Sequence, residues 1–199
     1  MAGGLVKHRA LQRKSSHRRA LLRNLVGSLI EHESISTTWP KAKEAQKLAE
    51  KMITHGKKAT EASRRETLKF FFRPQEMWDK LSGPLRQRYL NRPGGYTRVL
   101  RIEPMKEDQA PSAILELVDG PKDMRFALTA KTIANLREKG HEINDMTAAN
   151  IQKVTRFRPD AENDLERMIG EFERMAVEGD HGIDEIEKKK VYPKQQRSR

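Results

Sequence analysis

The chain reaches Glu31 before it meets an acidic side chain. Over that opening segment Lys7, Arg9, Arg13, Lys14, Arg18, Arg19 and Arg23 stand without internal counter-charge, with His8 and His17 between them. Like charges repel, so the segment has no compact state of its own and gains most by meeting a polyanion. Each Lys or Arg that neutralises a phosphate releases condensed counterions, the main source of sequence-independent nucleic-acid affinity. The segment then runs into an apolar helical pattern, with Leu22, Leu25, Val26 and Leu29 at i, i+3, i+4 and i+7. Arg18, Arg19 and Arg23 fall outside that stripe, so one face can pack while another meets phosphate. On residue types alone, a disordered basic tail and a cleaved targeting peptide compete with this reading.

Composition supports a polyanionic partner. The 199 residues carry a net charge of +12, with 34% charged and only 6% aromatic residues, which suits a modest core. The charge is uneven: residues 1–120 hold 24 Lys and Arg against 13 Asp and Glu, and residues 121–199 hold 16 against 15. The polyanion-binding half is therefore N-terminal. The absence of cysteine excludes disulfides, thiolate metal sites and cysteine nucleophiles. No apolar run is long enough to span a bilayer, so no membrane insertion is expected. Six scattered histidines form no HExxH pattern, and no GxxxxGK[ST], GxGxxG or GxSxG motif is present. No carboxylate pair stands out as an acid–base couple. The expectation is a protein that is not an enzyme, with no metal, no cofactor and no small-molecule substrate.

Taken in order, Met1 to Val6 reads as a short apolar extension and the basic arm runs to about Ser16. Ser15 and Ser16 are placed to cap a helix over 17–31. Ser34 to Thr38 is β-branched and reads as a strand. Pro40 suits the first turn of a second helix and Gly56 its end. Residues 59–72 read as a third helix whose Phe70-Phe71-Phe72 cluster is expected in the core. A fourth begins near Pro74, with a break at Gly83-Pro84 before Tyr89. Strands follow over 96–102 and 113–118, and Asp119-Gly120-Pro121 marks a boundary. Beyond it, helices are expected over 129–139, 147–155 and 161–176, then a basic tail over 188–199. The last helix aligns Leu165, Met168, Ile169, Phe172 and Met175 within a stretch, 160–187, of net charge −9. Two readings stand for that face: a docking surface for a basic protein, or a helix covering the protein's own core. The expected organisation is an arm over 1–16, a core domain over 17–120 and a helical extension over 121–199.

Two stretches carry a resemblance. The first is Ser15-Ser16-His17-Arg18-Arg19-Ala20 continuing through Leu22-Arg23-Asn24-Leu25 and Gly27-Ser28-Leu29 to Ile35-Ser36-Thr37-Thr38-Trp39-Pro40-Lys41-Ala42-Lys43-Glu44. The second is Arg92-Pro93-Gly94-Gly95-Tyr96-Thr97-Arg98-Val99-Leu100, followed by Ala110-Pro111 and Ile114-Leu115-Glu116-Leu117-Val118. In this order and separation they resemble the bacterial-type large-ribosomal-subunit protein numbered seventeen, the L-seventeen family, over roughly residues 7–119. The resemblance implies an α+β fold of helix, strand, three helices and two strands with a small mixed sheet. It implies a structural role in the large subunit, supporting translation and assembly, near the solvent-side opening of the peptide exit tunnel. It implies ribosomal RNA contacts from Lys7, His8, Arg9, Arg13, Lys14, Ser15, His17, Arg18, Arg19, Arg23 and Asn24. Thr37, Thr38, Lys41 and Lys43 would form a second patch, and Arg92, Gly94, Gly95, Tyr96, Thr97 and Arg98 a third. In the third, the glycines would admit backbone to phosphate and Tyr96 would stack on a base or sugar.

The sequence departs from the bacterial pattern in a shorter arm between His8 and Ser15, extra residues before it, and about eighty residues after Val118. Long protein-binding additions are typical of mitochondrial versions, so the chain resembles a mitochondrial member located in the matrix. Its partners would be large-subunit RNA and neighbouring ribosomal proteins. The Arg-rich N-terminus would then serve as import signal and as an uncleaved RNA-binding arm. Alternatives are a bacterial member of the family, a DNA-binding regulator and an RNA-processing enzyme using Glu or His. A regulator needs a recognition helix and usually a dimer, whereas the basic residues here lie largely in an arm.

Overall fold

A computed structural model describes residues 8–104 and 107–189, with side chains to residue 176. The expected extension over 1–6 and the tail from 190 onward lie outside the described residues. Two units emerge, Met1–Met124 and Arg125–Arg199.

The first unit begins with α1 (Ser15–His32), which forms because Leu22, Val26, Leu29 and Ile30 bring one stripe into the core. Ser15 and Ser16, expected as caps, lie inside its first turn instead. The cap position falls to Lys14, which makes no side-chain cap bond. Glu33 ends the helix in a left-handed conformation (φ 64°), its N–H donating to the Leu29 carbonyl at 2.8 Å. That conformation is uncommon for a residue with a side chain. It is fixed here by Arg88, whose two Nη atoms donate to the Glu33 carboxylate at 2.8 and 3.1 Å. Gly120 approaches this carboxylate so closely that a Cβ there would stand 2.5 Å from Glu33 Oε2.

Next come β1 (Ser34–Thr38), α2 (Trp39–Lys58), α3 (Glu61–Phe70), α4 (Pro74–Ser82) and α5 (Pro84–Tyr89). Pro40 occupies the first turn of α2, where its missing N–H costs nothing. Gly56 does not end that helix, which continues to Lys58. Its role is packing, because a Cβ there would lie 2.9 Å from the Leu81 carbonyl oxygen of α4. The break at Gly83-Pro84 is present, so four helices stand between the first two strands where the resemblance implied three. Phe71 is buried in the core, but Phe72 is 58% exposed. α3 stops at Phe70, and in the extended link that follows neighbouring side chains point opposite ways.

β2 (Thr97–Ile102) and β3 (Ser112–Leu117) complete a three-stranded sheet in the order β1-β3-β2. Both pairings are antiparallel, with Leu115 opposite Ile35 on one side and Val99 on the other. The sheet is therefore not mixed. β1 and β2 run parallel, but β3 lies between them and they never pair. Ala113, Leu115 and Leu117 of β3 are fully buried with Val26, Ile53, Leu85 and Tyr89 from the helices. The Tyr89 hydroxyl donates to the Val118 carbonyl at 2.7 Å, and burial pushes its pKa well above the ordinary phenol value.

The second unit holds α6 (Met124–Glu138, its first residue shared with unit one), α7 (Asp145–Thr155) and α8 (Ala161–Lys189). Thr129 does not start α6. Its hydroxyl donates back to the Arg125 carbonyl at 2.8 Å, a bond open to a threonine already inside a helix. Asn144 caps α7 by accepting from Thr147 N–H at 2.8 Å. Phe126, Ile133, Val154, Leu165 and Ile169 form this unit's own core. An exposed pair, Arg137 to Glu166 at 2.7 and 3.1 Å, ties α6 to α8.

Candidate nucleic-acid interface

The basic arm is folded back on α2 by one carboxylate. Glu44 is buried, and its Oε2 accepts from Arg18 Nη2 at 2.6 Å. Arg18 Nε in turn donates to the Arg9 carbonyl at 2.7 Å, and Lys47 Nζ reaches Glu44 Oε1 at 3.2 Å. Burial works to raise the Glu44 pKa. The bonds from Lys47, the Arg9 backbone and Arg18 outweigh it and hold the carboxyl below its usual range. Leu11 and Gln12 adopt left-handed backbone (φ 56° and 54°), and Arg13 Nη1 donates to the Leu11 carbonyl at 2.7 Å within that bend. Leu11 itself packs against the core. Arg13 and Arg18 are thus partly committed to shaping the arm. His8, Arg9, Lys14, Ser15, His17, Arg19 and Asn24 keep exposed side chains, and Lys7 lies outside the described residues. Arg19 has no ion-pair partner among the described residues. Arg23 is half-buried, its guanidinium 6.0 Å from the Phe70 ring centre and 5.7 Å from that of Phe72.

The second expected patch gains two members that sequence reading missed. Thr37, Thr38, Lys41 and Lys43 are all half-buried around the β1–α2 junction. There Lys43 Nζ lies 4.9 Å from the Trp39 ring centre, and the Arg101 guanidinium lies 4.3 Å from the same ring. Arg101 reaches this junction because Ala113 of β3 is opposite both Thr37 and Arg101. Strand register alone carried that signal, since residues in one row of a sheet share a face. The result is a half-buried aromatic ring with two cations within 5 Å of its centre, a basic patch suited to meeting phosphate.

The third expected patch is largely structural. Tyr96 is 3% exposed, its ring centre 5.1 Å from that of Tyr89 with the planes inclined at 51°, and it offers no open face to a base. Thr97 is buried, and its N–H and hydroxyl donate to Glu50 Oε1 at 2.9 and 2.7 Å. Arg92 donates to Asp119 Oδ2 at 2.7 and 3.0 Å. Arg98 Nη1 bridges Glu116 at 2.7 Å and Asp123 at 2.6 Å. Of the six residues only Gly94 and Gly95 offer open backbone, with no atom within 4 Å of a Cβ position at either. Arginines in loops and strands looked like phosphate ligands because their carboxylate partners lie 18 to 27 residues away in sequence.

The face expected to dock proteins is also divided. Leu165 and Ile169 are buried in the second unit's core, Met168 and Phe172 pack against it, and Met175 is 61% exposed. The two buried residues are not available to a partner, because α7 and α6 use them. Among the described residues no cluster of acidic or histidine side chains could hold a metal, and no helix is long and apolar enough to cross a membrane.

Comparison with known proteins matches this sequence to a family. The family model for Ribosomal protein L17 matches residues 21–118. The large ribosomal subunit protein bL17m of Neurospora crassa is 58% identical over 176 residues, covering 88% of this chain and 91% of that protein. The bL17m protein of Schizosaccharomyces pombe is 42% identical over 187 residues, covering 92% and 90%. Matches of this length include much of the second unit. The large ribosomal subunit protein bL17 of Myxococcus xanthus is 46% identical over 117 residues, 59% of this chain and 84% of its own. With a relative at 58% identity covering 88% of the chain and a family model matching residues 21–118, the chain belongs to the Ribosomal protein L17 family.

Proposed function

We propose that the chain is a non-catalytic structural constituent of the mitochondrial large ribosomal subunit, where it clamps ribosomal RNA near the peptide exit tunnel. Two fungal relatives matched along nearly their whole length bear the name of a large-subunit protein. The observation that carries the clamping mechanism is the Glu44 clip. It fixes the arm against α2 while Lys14, His17 and Arg19 point outward. A basic surface ordered before RNA arrives loses less conformational entropy on binding than a mobile tail does. The Lys43–Trp39–Arg101 group, which spans the sheet, supplies a second contact. α8, rich in acid and with Met175 exposed, is a poor RNA ligand and suits a basic protein neighbour within the subunit.

The test is sucrose-gradient fractionation of mitochondrial lysate at low and high salt. Co-migration with the large subunit that survives high salt is expected. A chain confined to light fractions at both salts would refute the reading.

A further inference from the structure

On the α1 face opposite the buried stripe, Asn24, Gly27, Ser28 and Glu31 recur at i, i+3, i+4 and i+7 and form one wall of an open cleft of about 130 Å³. The other wall comes from the link after α3: Phe71 at the base, and Phe72 and Arg73 at the rim. Three features of this cleft are unusual together. Phe72 is a large apolar ring left 58% exposed on a highly charged unit. The Arg23 guanidinium lies 5.7 Å from that ring's centre, so two flat groups border one opening. Arg73 stands at the rim, its Nη1 3.6 Å from Glu31 and 3.9 Å from Glu76, both pairs largely exposed and therefore weak.

From this arrangement we propose that the cleft is a subsite for a single unpaired nucleotide of RNA, a deeper reading of the proposed RNA-binding role on which it rests. The base stacks on Phe72 and the Arg23 guanidinium, since every base has a flat face that such groups accept. Arg73, exchanging its weak carboxylate contacts, meets the phosphate. Asn24 and Ser28 meet the base edge with both donors and acceptors. Glu31 offers acceptors only. Its two oxygens match the adjacent N1–H and N2–H donors of guanine, so guanine is the base it favours. Arg23 follows Arg19 by one helical turn, so the backbone of such a nucleotide continues onto the arm surface.

The experiment uses the full chain and fluorescent eight-unit RNA probes in which every sugar but the central one is abasic: the central position carries guanosine, adenosine or no base. Wild-type protein should bind the guanosine probe more tightly than the abasic one, roughly five-fold or more, the scale of one base–aromatic stack. Phe72→Ala should remove that difference while leaving abasic binding unchanged, and Phe72→Trp should restore it. Glu31→Gln should abolish the guanosine-over-adenosine preference. Because Phe72 is exposed, its substitution leaves the core intact, which unchanged circular dichroism verifies. If Phe72→Ala binds all probes as wild type does, the subsite is refuted while RNA binding stands, and Phe72 faces a protein neighbour instead. If wild-type protein binds none of the probes and no ribosomal RNA fragment, the broader RNA-binding role falls too.

Discussion

Glu116 is completely buried, and Arg98 and the Met124 N–H (3.0 Å) both donate to its carboxyl group. Burial pushes its pKa up, and those bonds oppose the shift. Arg98 also holds Asp123, so two carboxylates depend on one guanidinium. Arg98→Met should therefore lower stability by about 3–5 kcal/mol in urea denaturation, the scale of stranding buried charge. Its RNA affinity, measured on the folded fraction, should match wild type. Glu44 gives the opposite pH behaviour. Its native pKa lies below the unfolded value of 4.5, so its stabilisation is full above that value and is lost as pH falls through the native pKa. Glu44→Gln should be less stable at neutral pH and show a shallower loss of stability on acidification below about pH 5. Urea midpoints across that range measure both. These carboxylate partners were not legible in the sequence. Arg18 and Glu44 are 26 residues apart, and Arg92 and Asp119 are 27 apart, so no local pattern marks either arginine as paired.

At the scale of elements, periodicity served well. The α1 stripe, the β1 strand and the break between α4 and α5 stand where local spacing and turn chemistry put them, since those signals act over a few residues. Helix ends were less legible. Ser15 did not cap α1, Gly56 did not end α2, and α8 runs on to Lys189 past the expected stop at 176. In each, packing or continued helix-forming composition outweighed a local stop signal. The RNA-binding face proposed for α1 is best probed at Arg19, which is exposed and has no ion-pair partner among the described residues, rather than at Arg18, whose reversal would set a carboxylate against buried Glu44. Arg19→Glu should leave the thermal transition unchanged and weaken RNA binding. It should also reduce the slope of log affinity against log salt by about one. Fluorescence titration at several salt concentrations reads both quantities.

For the whole molecule, the boundary between units is functional in a chemical sense. Asp123 receives Arg98 and accepts from the Asp119 N–H at 2.9 Å, so it belongs to the first unit although it lies beyond the Asp119-Gly120-Pro121 punctuation. A chain ending at residue 124 should keep the fold and RNA affinity of the full protein. One ending at residue 120 strips Arg98 of a partner and should unfold at lower urea, which circular dichroism would register. The boundary expected at residue 120 leaves out residues 121–124, because the role of Asp123 is set by a side chain from β2, which no charge count reveals.

The sheet order has a kinetic corollary. The strand made last, β3, is the one in the middle, so β1 and β2 have nothing to pair with until residue 117 is available. Arg101 meets Trp39 only once that strand is inserted, and the Glu33–Arg88 pair is closed over by Gly120 immediately after it. Such non-local closure is slow relative to helix formation. A growing or truncated chain thus displays its basic arm early but acquires the cation–aromatic group, which spans the sheet, only once β3 is in place. The topology makes a chain that includes β3, and no fragment short of it, the species that carries both proposed RNA contacts at once.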